Sequence, residues 1–194
     1  SDASIFKGTI DNSGSLINYG NIGTTENANQ IENSGTITNH NAIRATVITN
    51  TGSLDNTDGV SIVATTITNN GDNGIITTYA DKISASDKIT NNAQLNLLGA
   101  NNSNVINGNG KTTLSGTTIN NGTINQRILE ITSTGDLTTD ADKITTTDTT
   151  NGVKNAGQLT LTGSNKENNN IITGDGSTTI SGSITNNVKI SQST

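Results

Sequence analysis

Along this chain one unit recurs: a hydrophobic residue, any residue, Asn, any residue, Gly, any residue, and a second hydrophobic. It runs Ile10-Asp11-Asn12-Ser13-Gly14-Ser15-Leu16, then Ile31-Glu32-Asn33-Ser34-Gly35-Thr36-Ile37, then Ile48-Thr49-Asn50-Thr51-Gly52-Ser53-Leu54. Each copy leads into a second with the same spacing. These are Leu16, Asn18, Gly20 and Ile22; Ile37, Asn39, Asn41 and Ile43; and Leu54, Asn56, Asp58 and Val60. Gly, Asn and Asp are the residues that enter left-handed backbone at low cost, so their exchange at one position predicts a left-handed bend there. Units begin at Ile10, Ile31, Ile48, Ile67 and Ile89, a period of roughly 17–22 residues that belongs to stacked-coil architectures. Between bends the pattern alternates apolar and polar, as in Thr36-Ile37-Thr38 and Gln158-Leu159-Thr160-Leu161-Thr162, which predicts strands with one buried face. Branched Ile, Val and Thr favour that state, and no stretch carries the helical i, i+3, i+4 spacing. The expectation is an all-β parallel β-helix, a β-solenoid with almost no helix.

The period is not uniform. At residues 67–75 the unit reads Ile67-Thr68-Asn69-Asn70-Gly71-Asp72-Asn73-Gly74-Ile75, which predicts a longer turn after Asn69. From residue 80 a larger duplication begins. Ala80-Asp81-Lys82-Ile83 returns as Ala141-Asp142-Lys143-Ile144, and Val105-Ile106-Asn107-Gly108-Asn109-Gly110 as Ile171-Ile172-Thr173-Gly174-Asp175-Gly176. The chain therefore reads as one solenoid, 1–194, with short double-motif coils over 1–79 and a duplicated block over 80–140 and 141–194. An offset near 64 suggests three whole coils per block.

Stacking puts like residues over like. Asn12, Asn33, Asn50 and Asn69 should form a ladder at one bend, each side-chain amide donating to one neighbour and accepting from the other. Gly14, Gly35, Gly52 and Gly71 should complete those bends, with Ile10, Ile31, Ile37 and Ile48 facing inward. About nine coils at ~4.8 Å each make a rod about 40–45 Å long, and the uneven coil lengths favour right-handed winding.

Composition fits a thin core. Hydrophobic residues make up 28% and aromatics 2%, with one Phe, two Tyr and no Trp or Met, while Thr and Asn supply about a third. That is too few large apolar side chains for the interior of a globule. Disordered chains lack registered β-branched residues and are rich in Pro and charge, whereas this chain has no Pro and 13% charged residues. The net charge is −6 with no basic patch, which argues against nucleic acid as a partner. No apolar run approaches the ~20 residues of a membrane span. Cysteine is absent, so thiolate chemistry and disulfides are excluded.

Phrases such as Gly8-Thr9-Ile10-Asp11-Asn12-Ser13-Gly14, Asn33-Ser34-Gly35-Thr36-Ile37-Thr38-Asn39 and Ile119-Asn120-Asn121-Gly122-Thr123-Ile124 resemble the passenger repeats of bacterial type V secreted proteins. These are the autotransporter and filamentous-haemagglutinin-like adhesins. The resemblance covers nearly the whole chain and implies a right-handed parallel β-helix on the bacterial cell surface. It also implies host or surface glycans or proteins as partners. The membrane barrel of that family has no counterpart in these residues.

Candidate chemistry is sparse. The single imidazole, His40, sits between Asn39 and Asn41 at a bend and reads as a solvated residue. Asp81 with Asp87, and Asp142 with Asp148, form the nearest approach to a carboxylate cluster and are weak candidates for Ca²⁺; the alternative is a charged face that discourages edge pairing. Gly108-Asn109-Gly110 and Gly174-Asp175-Gly176 lack the Lys-Ser/Thr of a phosphate loop and read as turns. No catalytic residue and no cofactor is expected. Thr36-Ile37-Thr38, Thr66-Ile67-Thr68 and Thr160-Leu161-Thr162 could supply the hydroxyl rows of an ice-binding solenoid, and a carbohydrate-active β-helix enzyme is the other alternative. The expected role is an extracellular structural or adhesive solenoid: a passenger segment, a stalk or a self-assembling fibre subunit. Its end coils should meet flanking coils of a longer chain or other copies of itself.

Overall fold

The computed structural model describes residues 5–6, 8–24 and 29–192. Strands stack in parallel into three sheets of ten, ten and five strands, and two single-turn 3₁₀ segments, Ala80–Lys82 and Ala141–Lys143, are the helical content among the described residues. Each pass of the chain contributes one strand to the second sheet, so about nine turns of a β-solenoid lie between its first strand and its tenth.

The register is that of the repeat. On the first side Ile10 pairs with Ile31, Ile31 with Ile48, Ile48 with Ile67 and Ile67 with Ile89. On the second, Leu16, Ile37, Leu54, Ile76 and Leu95 follow one another. On the third, Ile22, Ile43, Ile62 and Ile83 do so. Ile31, Ile37 and Ile48 are buried, and Ile10, in the first coil, is half-buried against the same core. Three such columns make a core one side chain deep. In the early coils the third side runs into the first within one long strand, as in Ala42–Asn50 and Ser61–Asn69. Ala45 and Ala64 are paired at that corner, where two sides converge and leave room only for a methyl.

Two sequence expectations are corrected. Val60 was expected inward, but it is 62% exposed and Ile62 takes the place over Ile43. Residues 57–60 bow out instead, with Gly59 N–H bonded to Asn56 O. The duplicated block does not span whole coils either. Val105–Asn107 lies in the first sheet but its repeat Ile172–Gly174 in the second, and Lys111–Leu114 lies in the second but its repeat Ser177–Asn186 in the third. The block advances three coils and one further side, so equivalent residues face different directions. Local bonding survives that rotation. Asn104 donates to Ile83 O and accepts from Ala85 N, while Asn170 donates to Ile144 O and accepts from Thr146 N.

Candidate functional surface

The polar residues with the most organised geometry point inward. At the bend between the first and second sides, Asn12 Nδ2 donates to Asn33 Oδ1, Asn33 to Asn50, Asn50 to Asn69 and Asn69 to Asn91, at 2.7–2.9 Å. The same amides also cap backbone carbonyls: Asn50 Nδ2 reaches Gly52 O at 2.9 Å in its own bend and Ile75 O at 3.1 Å in the next coil. A second ladder runs at the next bend from Asn18 to Asn39 to Asn56 and ends on Thr78 Oγ1. Further rungs join Asn102 to Asn120 and Asn168 to Asn186. In every one of these rungs the donor lies on the N-terminal side, so the ladders are polar along the rod. Asn50, Asn69 and Asn91 are fully buried. An unpaired buried amide costs about 1–3 kcal/mol, so continuity of the ladder is itself a stabilising requirement.

Where Gly108 follows Asn91 in the column and offers no side chain, Gln126 from the coil beyond spans the gap. Asn91 Nδ2 donates to Gln126 Oε1 at 2.7 Å, and the buried Thr112 hydroxyl donates to the same oxygen. Nothing in the repeat motif marks Gln126; its longer side chain opposite a glycine is the only signal.

The glycines do a different job from the one expected. Gly14, Gly35 and Gly52, like Asn41 and Asp58, are not among the residues with positive φ. A Cβ on Gly35 would stand 2.1 Å from Gly14 O, and one on Gly52 2.1 Å from Gly35 O. The carbonyl of each coil therefore occupies the space a side chain above it would need, and it accepts the next strand's N–H, as Gly14 O does from Thr36 N at 2.7 Å. Gly71 takes the expected left-handed backbone, φ +78, but in the extra turn and not in the bend column, where Gly74 stands instead. A Cβ on Gly74 would lie 2.1 Å from Asn70 O of its own turn, and Gly74 O accepts from Asn69 Nδ2.

Among the described residues no three of His, Asp and Glu gather as metal ligands would. Asp81 is exposed on the first 3₁₀ turn, and Asp87 is exposed where the strand Ile83–Asn91 shifts register. Asp142 pairs with Lys166, whose ammonium is held above its ordinary pKa by that hydrogen bond. Asp148 accepts the N–H groups of Asn151 and Thr150, which, with Arg127 at 3.3 Å, hold its carboxyl below the ordinary value. The two Asp pairs are thus not structural equivalents: Asp87 lies in a strand and Asp148 closes a turn. His40 is not simply solvated. Its ring stacks on Tyr19 with centroids 4.7 Å apart and planes 5° apart, and Nδ1 lies 3.8 Å from Asp58. Tyr19 itself is 73% exposed, which leaves one face of an aromatic pair open at that corner.

The three Thr-x-Thr stretches fall on three different sheets. Thr36–Asn39 is in the second, Ser61–Asn69 in the first and Gln158–Asn168 in the third. No helix among the described residues is long and apolar enough to cross a membrane. Comparison of the chain with protein-family models, curated proteins and solved structures gives no match.

Proposed function

We propose that this chain is an extracellular structural or adhesive β-solenoid of a bacterial cell surface, a passenger segment, stalk or fibre subunit that acts through its shape and not through catalysis. The observation that carries the reading is the polar asparagine ladder. Its bonds run along the rod axis and are buried, so they stiffen a long thin body and leave its outer faces to small polar side chains. The wording of the repeats, similar to type V passenger repeats, supports a surface location. For adhesion, the exposed Tyr19 ring backed by His40 offers an apolar platform against which a sugar ring of a host or surface glycan would stack. The dispersal of Thr-x-Thr over three sheets counts against ice binding, which needs its hydroxyls on one flat side.

Antibody labelling of intact source cells tests this reading. Label on the outer surface that external protease removes is the expected result. Label that appears only after the envelope is permeabilised would overturn it. Binding of the purified chain to immobilised glycans, lost in Tyr19→Ala, would place adhesion at the aromatic corner.

A further inference from the structure

Glycine follows asparagine directly at five places: Asn73-Gly74, Asn107-Gly108, Asn109-Gly110, Asn121-Gly122 and Asn151-Gly152. In such a pair the glycine backbone N can attack the asparagine side-chain carbonyl carbon, because no Cβ hinders its approach. A cyclic succinimide closes as the new C–N bond forms, the Cγ–Nδ2 bond breaks and ammonia leaves. Water then opens that ring to aspartate or isoaspartate. The reaction needs a side chain free to turn and a nitrogen released from its hydrogen bond, so the fold decides where it occurs.

The ladders withhold both reacting groups. Their side-chain amides are bonded coil to coil, and the backbone N–H that follows is bonded as well. Thr51 N reaches Asn33 O, Asn70 N reaches Asn50 O and Asn92 N reaches Asn69 O, each at 2.8 Å. No ladder asparagine is followed by glycine, since the repeat sets one residue between them. Four of the five pairs are held too. Asn107 Oδ1 accepts from Asn125 Nδ2 at 2.9 Å. Gly110 N donates to Asn91 O and Gly122 N to Asn102 O, both at 3.0 Å and both to the preceding coil. Gly152 N donates to Asp148 O at 3.1 Å, and Asn151 N to Asp148 Oδ1. Asn109 and Asn121 are exposed, so exposure alone does not single out a site. Asn73 lacks these restraints. It ends the bow of residues 71–73, all of them exposed. Its side chain has no hydrogen-bond partner among the described residues, and Gly74 N is held only to Gly71 O, at 3.2 Å within the same turn.

We propose that Asn73 is a self-modification site, where Gly74 N closes the succinimide and water opens it to aspartate or isoaspartate. The ladder asparagines stay intact in the same molecule. Each event releases one ammonia and adds one negative charge beside Asp72, so charge accumulates at this bow as the rod ages. The bow accommodates the product. Among the described residues no bond ties Asp72 or Asn73 to a neighbouring coil, and the extra backbone methylene of isoaspartate enters a segment that already bows outward. The same change at Asn50 would remove the donor that reaches Asn69 Oδ1 in the next coil. The site goes beyond the structural reading above and does not depend on where the chain resides.

Peptide mass spectrometry of the full chain, aged in mildly alkaline buffer, tests this. Asn73 should gain one mass unit at least about tenfold faster than Asn107, Asn109, Asn121 or Asn151, a margin that a small difference in local opening supplies. In guanidinium chloride, with the fold lost, the five pairs should convert at comparable rates. Asn73→Asp, which mimics one product, should melt with wild type, whereas Asn50→Asp should melt well below it. A folded chain in which Asn73 stays as intact as Asn50 would overturn the proposal, as would one in which another pair converts as fast. An equal margin in denaturant would show that local sequence, not the fold, selects the site. An Asn73→Asp variant destabilised as far as Asn50→Asp would overturn the tolerance of the bow.

Discussion

Clearance, not backbone handedness, is what Gly35 and Gly52 provide in the bend column, and the difference is measurable. Gly35→Ala forces a Cβ against Gly14 O and should lower stability by roughly 1–3 kcal/mol, the usual cost of overpacking. Gly14→Ala meets nothing and should stay within about 0.5 kcal/mol of wild type. Urea melts of the two variants check this, and equal effects would mean the left-handed explanation was right after all. The sequence could not separate the two explanations, because Gly, Asn and Asp satisfy a positive-φ bend and Gly satisfies a clearance as well. Asn was more legible, since only a side chain with both a donor and an acceptor can repeat indefinitely along a column. At the turn after Thr147, Asp148 bonds Asn151 and Thr150, and its pKa lies below the unfolded value. Its contribution is therefore present above the ordinary carboxylate pKa and is lost as pH falls through the lowered folded value. Amide exchange of Thr150 and Asn151 should accelerate over that acid range, and Asp148→Ala should remove the pH dependence; an unchanged profile in the variant would contradict the assignment.

Strands and their connectors obey the repeat where its length is regular and depart from it where residues are inserted. Seventeen residues separate Asn33 from Asn50 and twenty-two separate Asn69 from Asn91, yet both pairs stand one coil apart. Such variation is absorbed in bows such as residues 57–60 and 71–73, which explains why Ile31, Ile37 and Ile48 were placed correctly from sequence while Val60 was not. It also hid the rotation of the duplicated block, because an offset of 61 to 66 residues is as compatible with three coils as with three and a third. The loop account makes a direct prediction. Deleting Gly71, Asp72 and Asn73 leaves Asn69-Asn70-Gly74-Ile75, the regular motif, and keeps the Asn69 amide on Gly74 O. The shortened chain should melt at the wild-type temperature or above it. A large fall would show that those residues hold the coil and do not merely bow from it.

At the scale of the whole molecule the fold is one-dimensional: each coil meets its neighbours, apart from the bond of Asn91 to Gln126 across the Gly108 coil, and cooperativity travels through the stacked strands and the ladders between them. Ten strands at ~4.8 Å spacing give a rod about 43 Å long with no interior beyond a single layer of side chains. Fold class was legible from period and composition, since a chain with so few large apolar residues can close only a thin core. The surface role was not, because among the described residues no cluster of reactive groups marks any side and the aromatic contact of Tyr19 with His40 joins residues of successive coils. The central claim is that buried asparagine amides bond coil to coil in one direction. Nuclear magnetic resonance of the side-chain amides tests it most directly. The account predicts slowly exchanging Nδ2 protons on Asn33, Asn50 and Asn69, each in contact with the asparagine of the following coil. Rapid exchange of those protons with water, or contacts out of that order, would contradict it.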